Sequence, residues 1–134
     1  MRNIWPYPKW IAHRGAGLLA PENTLAAFEL GRKFGYQMIE CDVKLSKDHI
    51  PYLLHDSDLD RTTNSKGPAS ELNWSELSKL DAGSWHSSSF NGEPLCSLET
   101  LCQWSVQHQI FLNLEIKPCP NQDWETGEVI ATFI

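Results

Sequence analysis

Short apolar runs alternate with helix-patterned segments along this chain, and that alternation restricts it to α/β architectures. Trp10-Ile11-Ala12-His13 is a predicted first strand, ended by the glycine-rich turn Arg14-Gly15-Ala16-Gly17. Asn23 is the predicted cap of a helix over residues 24–34, where Ala27, Leu30 and Phe34 recur at helical spacing and Gly35 stops the run. Extended segments follow at 37–45 and 50–54, joined by the turn Ser46-Lys47-Asp48-His49, and Pro51 limits ladder bonding in the second. Ser97 is placed to cap a helix reaching His108, with Leu98, Leu101, Cys102 and Ser105 on one face. A further strand runs from Ile110 to Ile116, and a last helix carrying Val129, Ile130 and Phe133 opens near Asp123. The expected product is a set of parallel βαβ units, in an open doubly wound sheet or in a barrel.

At 134 residues the chain is long enough for one domain, 1–134, and too short for two large ones. Within it, residues 57–95 are rich in Ser, Asn, Asp and Gly and form an expected elaborated loop, with a short helix at 75–80 that Asn73 caps and Glu76 closes. Its aromatic residues Trp74, Trp85 and Phe90 are expected to form a small core, and Asp60-Arg61-Thr62-Thr63 an internally paired anchor. The net charge of −6, with no basic run, argues against a nucleic-acid or anionic-lipid surface, so an anionic substrate must be met by local groups. No stretch has signal-peptide or membrane-span character, and the expected location is the cytoplasm. Cys41, Cys96, Cys102 and Cys119 form no Cys-x-x-Cys pair and are expected as buried free thiols.

Chemistry enters through alternation within the strands. Residues two apart share a face, so Met38, Glu40 and Asp42 point one way while Ile39, Cys41 and Val43 point the other. The later strand repeats the device, with Asn113, Glu115 and Lys117 opposed to Leu112, Leu114 and Ile116. Carboxylates on an interior sheet face repel one another and lose hydration, unless the face is exposed. If Glu40, Asp42 and Glu115 converge, a divalent cation offsets the charge, and all-oxygen ligands favour Mg²⁺ or Ca²⁺ over zinc. His13 and His55 close the first and third strands, where α/β proteins collect reactive groups, and imidazoles suit proton transfer near neutrality. Arg14, in the turn after His13, is shaped for bidentate phosphate bonds, and Lys117 is a point charge for anionic oxygens.

Together these residues resemble the glycerophosphodiester phosphodiesterase family, whose pattern runs His-Arg, Glu-x-Asp, His-Asp. Here the matches are His13-Arg14, Glu40-Cys41-Asp42 and His55-Asp56. Similarity extends through Pro21-Glu22-Asn23-Thr24, residues 42–48, Leu59-Asp60-Arg61-Thr62-Thr63, Leu80-Asp81-Ala82-Gly83 and Leu114-Glu115-Ile116-Lys117, with Cys96-Ser97 standing where the family usually has Pro-Thr. The resemblance implies a TIM (β/α)₈-barrel type fold with 57–95 as an inserted segment. It further implies a metal held by Glu40, Asp42 and Glu115, His13 and His55 as acid/base pair, and Arg14 and Lys117 on phosphate. The implied substrate is a small glycerophosphodiester such as glycerophosphocholine, cleaved to glycerol 3-phosphate and an alcohol. A complete barrel takes about 250 residues, so the expectation is a barrel truncated to about four βα units. Its open sheet edges invite pairing with a second copy. Two alternatives to the enzyme follow: a catalytically silent half-barrel that binds metal or a partner chain, and a related phospholipase-type barrel, which the lack of a membrane-binding helix disfavours.

Overall fold

The computed structural model describes residues 4–134. Its centre is a three-stranded sheet in the order β2-β1-β3, built from β1 (Met38–Leu45), β2 (Pro51–Leu53) and β3 (Phe111–Ile116). β3 lies parallel to β1, with Met38 beside Phe111 and Asp42 beside Glu115. β2 lies antiparallel to β1, which departs from the all-parallel expectation for a simple reason. Only Ser46–Ile50 connect the two strands, and a parallel crossover needs a dozen residues or more.

Helices α1 (Leu25–Lys33), α3 (Leu98–His108) and α4 (Asp123–Phe133) pack around this sheet, and the single-turn α2 (Trp74–Leu77) stands apart. Thr24, not Asn23, caps α1, its hydroxyl accepting from Ala27 N at 3.3 Å, and Arg32 and Lys33 complement the dipole at the other end. Ser97 caps α3 as expected, accepting from Thr100 N, and the helix ends on Gln109 in the left-handed conformation. Ile39, Cys41 and Val43 from β1 meet Phe28, Leu98, Leu101, Ile110 and Ile130 in the main core. Full burial of each such aliphatic side chain contributes roughly 1.5–3 kcal/mol. Phe133 and Ile134, at the C-terminal end of α4, stay exposed.

The Trp10–His13 segment joins the sheet through one residue. Ala12 donates to Met38 O and accepts from Glu40 N, both at 2.9 Å, while Trp10 is largely exposed. Pairing stops there because the chain turns back at once: Arg14 has φ 52° and Gly15 φ 106°. Gly15 has no room for a Cβ, which would meet Ala27 at 2.7 Å, and its carbonyl lies flush against Gly31 of α1. The turn carrying His13 and Arg14 is therefore clamped between α1 and the start of β1.

Residues 57–95 contain short helical turns and isolated bridges and lie against a second, smaller core of Tyr52, Leu54, Leu59, Ala69, Leu77, Ala82 and Leu95. Asn73 N donates to Glu76 Oε2 at the start of α2. Trp74 packs against this core as expected, whereas the Trp85 ring is partly exposed, held by its own Nε1–H to Ala82 O. The four cysteines are free thiols; Cys41, Cys96 and Cys119 are buried and Cys102 is partly so. No helix among the described residues is long and apolar enough to cross a membrane.

Candidate active site

β1 presents Glu40 and Asp42 on the face opposite the main core, and the parallel register sets Glu115 directly beside Asp42. One oxygen from each of the three carboxylates lies within 4.8 Å of the others. The three differ in setting: the Asp42 side chain is buried, Glu40 is largely covered, and Glu115 is half open. Burial raises the Glu40 carboxyl above its ordinary value; the Arg14 N–H opposes this, and the nearby Asp42 and Glu115 charges add to it. Glu115 moves the other way, lowered chiefly by Lys117, whose Nζ donates to Oε1 at 3.0 Å.

The two oxygens of Asp42 are treated unequally. Oδ2 accepts from Asn23 Nδ2 at 2.9 Å and lies 3.2 Å from Arg14 Nε, while Oδ1 is buried with no hydrogen-bond partner. A bare buried carboxylate oxygen beside two further carboxylates is the donor arrangement that a hard divalent cation satisfies. The residues present therefore fit such an ion.

Asn23 acts as a bracket for Asp42. Its Oδ1 accepts from Asp42 N at 3.1 Å while its Nδ2 holds Oδ2, and its own φ of 59° explains why it does not serve as the helix cap. An amide side chain that tolerates the left-handed conformation is well suited to this task.

His13 follows Ala12 into the same opening, its Nε2 3.9 Å from Glu40 Oε2 and its ring mostly exposed. Arg14 N donates to Glu40 Oε2 at 3.0 Å, and its guanidinium donates to Glu22 at 3.0 Å. His55, just beyond β2, shares a 2.8 Å bond between Nδ1 and Asp56 Oδ1. The Arg61 guanidinium holds the Asp56 carboxyl well below the ordinary carboxylate range, so Asp56 stays the acceptor. His55 Nδ1 is then the protonated nitrogen and Nε2 is left for proton exchange.

Arg61 grips two carboxylates at once, donating to Asp56 from Nε at 2.8 Å and to Glu22 from both terminal nitrogens at 2.8 and 2.9 Å. Burial raises Glu22, but Arg61 and Arg14 outweigh it and hold the carboxyl below its ordinary value. The expected internal anchor at 60–63 is thus a bridge reaching out to the site. A continuous chain of charge-assisted bonds runs from His55 through Asp56, Arg61 and Glu22 to Arg14. In the sequence Glu22 and Asp56 stand out only by their place in the family's motifs, while Asn23 reads as a helix cap and Arg61 as part of a local anchor. His86 Nε2 meets Leu18 O at 2.9 Å, tying the 57–95 segment to the same turn. His49 pairs instead with Glu125 of α4, at 3.3 Å and away from the carboxylates.

The chain matches known proteins over most of its length. The profile of the glycerophosphoryl diester phosphodiesterase family matches residues 13–132. An Oleispira antarctica phosphodiesterase, solved in complex with the product sn-glycerol-3-phosphate, is similar at a TM-score of 0.89 and 40% identity, over 93% of this chain and 51% of that one. A glycerophosphodiester phosphodiesterase from Agrobacterium tumefaciens gives 0.80 and 35%, over 91% of this chain and 52% of its own. The Bacillus subtilis protein YhdW is 44% identical over 126 residues, covering 92% of this chain and 51% of that protein. The chain spans about half the length of these relatives.

Proposed function

We propose a function on one premise: the chain belongs to the glycerophosphoryl diester phosphodiesterase family. That family has the TIM-barrel fold, of which this chain forms a partial α/β unit on a three-stranded sheet. The proposed activity is hydrolysis of a glycerophosphodiester such as glycerophosphocholine to glycerol 3-phosphate and an alcohol, dependent on Mg²⁺ or Ca²⁺. The observation that carries it is the convergence of Glu40, Asp42 and Glu115, with Asp42 Oδ1 bare, between His13 and the ends of β2 and β3. The product bound in the Oleispira relative supports the choice of substrate class. In domain terms we assign residues 1–134 to this family, with 57–95 as its inserted segment.

Glu40, Asp42 and Glu115 would hold the divalent ion, which when bound supplies charge for a phosphoryl oxygen and a polarised phosphorus. Arg14 and Lys117 bind the remaining phosphate oxygens, each already oriented by a carboxylate, Glu22 for Arg14 and Glu115 for Lys117. His13 and His55 divide the proton work. One takes the proton from the substrate's neighbouring glycerol hydroxyl as that oxygen attacks phosphorus, and the other protonates the departing alcohol. The resulting cyclic phosphate is opened by water with the two roles exchanged, giving glycerol 3-phosphate. Asp56 keeps His55 in the tautomer that exposes Nε2 throughout.

The test is release of glycerol 3-phosphate from glycerophosphocholine by the 134-residue chain with Mg²⁺ or Ca²⁺ present. Turnover should vanish on chelation and in Glu40→Ala. No turnover with either ion refutes the activity for this chain. A second reading rests on the three carboxylates alone, a chain that binds the ion or a partner without turnover. Calorimetric binding of Ca²⁺ in an inactive chain is the outcome that selects it.

A further inference from the structure

β1 sets a third charged side chain on the face that carries Glu40 and Asp42. Lys44 follows Asp42 by two residues, is fully buried, and stands opposite Tyr52 in the antiparallel ladder. A buried ammonium is costly unless its N–H groups are taken up. Lys44 Nζ donates to two main-chain oxygens, that of His55 at 3.1 Å and that of Lys117 at 3.2 Å. One oxygen lies just past β2 and the other just past β3. A single amine thus ties two segments distant in sequence to β1, at the points where each leaves the sheet.

From these bonds we propose that Lys44 is a positioning residue of the site: it holds the His55 and Lys117 main chain in register with the β1 carboxylates, so that imidazole and ammonium meet the phosphodiester already aligned. What the alignment achieves rests on the phosphodiesterase reading above; the bonds themselves do not. Lys44 touches no reacting atom. Its effect passes through the two carbonyls, and small misplacements of reacting groups are costly to a rate. Side-chain chemistry separates donation from charge, because glutamine keeps two N–H donors without the charge and methionine keeps neither.

The experiment compares Lys44→Met and Lys44→Gln in the full 134-residue chain. It measures glycerophosphocholine turnover, Ca²⁺ binding by calorimetry, thermal unfolding, and the NMR signals of the His55 ring and the Lys117 amide. Lys44→Met is expected to lose roughly 100-fold in kcat while KM and Ca²⁺ affinity stay within about threefold. It should also displace both NMR signals. Lys44→Gln should return the signals toward wild type and recover most of kcat. Wild-type kcat with unmoved signals in Lys44→Met overturns the proposal, as does equal damage in both folded variants, which would assign the effect to charge. A parallel fall in kcat, Ca²⁺ affinity and thermal midpoint overturns it too, since that is general loosening. Failure of the wild-type chain to hydrolyse glycerophosphocholine sinks the phosphodiesterase reading instead. The NMR comparison then decides Lys44 alone: signals moved by methionine and restored by glutamine support it, and unmoved signals overturn it.

Discussion

Along β1, Ile39, Cys41 and Val43 turn one way and Glu40, Asp42 and Lys44 the other, and the two faces are covered almost equally well. On the first face burial is favourable in itself, because apolar area leaves water and packs against Phe28, Leu98 and Ile130. On the second, each buried charge loses hydration and needs specific compensation. Asn23 and Arg14 supply it for Asp42, the Arg14 amide for Glu40, and two carbonyls for Lys44. One oxygen, Asp42 Oδ1, is left without any. The comparison teaches where to look for function in an α/β sheet: at the face whose burial is not explained by the hydrophobic effect.

If the two faces divide labour in this way, substitutions on them should part company. Ile39→Ala on the apolar face should lower unfolding free energy by about 2–5 kcal/mol. Denaturant titration measures this, and Ca²⁺ affinity of the folded fraction should stay as it was. Asp42→Asn should do the reverse, weakening Ca²⁺ binding by more than about 100-fold, beyond what loss of an outer hydrogen bond produces. Its unfolding midpoint without added ion should hold or rise. Either of these two variants changing both properties equally would erase the distinction between the faces. Asn23→Ala sharpens it, since the bracket serves the charged face alone. Loss of two buried hydrogen bonds should cost about 1–3 kcal/mol and weaken Ca²⁺ binding as well, both readable in one calorimetric series.

The smallest effect concerns the rim. The Asp56 carboxyl is depressed in the folded chain by Arg61, so its contribution to stability is present above its ordinary value of 3.8 and is lost as pH falls through the folded value. Arg61→Met should therefore be less stable than wild type at neutral pH, by under about 1 kcal/mol for so exposed a pair. The gap should close in acid. Thermal midpoints at pH 7 and below pH 3 check the sign, and a gap that widens in acid would refute the pairing.

Much of this site is legible in the sequence alone. Alternation in 38–45 placed Glu40 and Asp42 together, and the same reasoning set Glu115 on the polar face of its own strand. His55 was marked by its position at a strand end, and Trp10–His13 was marked as extended although only Ala12 pairs. What escaped was every residue whose role is to hold another. Asn23 looked like a helix cap because capping and bracketing ask for the same short polar side chain. Arg61 looked like a local loop anchor because ion-pair partners 39 residues away, as Glu22 is, leave no periodic trace. Lys44, on the polar face of a strand, is indistinguishable in sequence from a solvated lysine.

The sequence by itself determined the order of the helices, the Ser97 cap of α3, and which residues of each strand share a face, because these depend on local periodicity and local hydrogen bonding. It also carried enough ordered motif to place the chain in its family. Only the tertiary structure decided that β3 lies parallel to β1 with Glu115 beside Asp42, that β2 runs antiparallel, and that one amine reaches both strand ends. Register and long-range pairing follow from how whole faces are buried against one another, which no window of neighbouring residues contains.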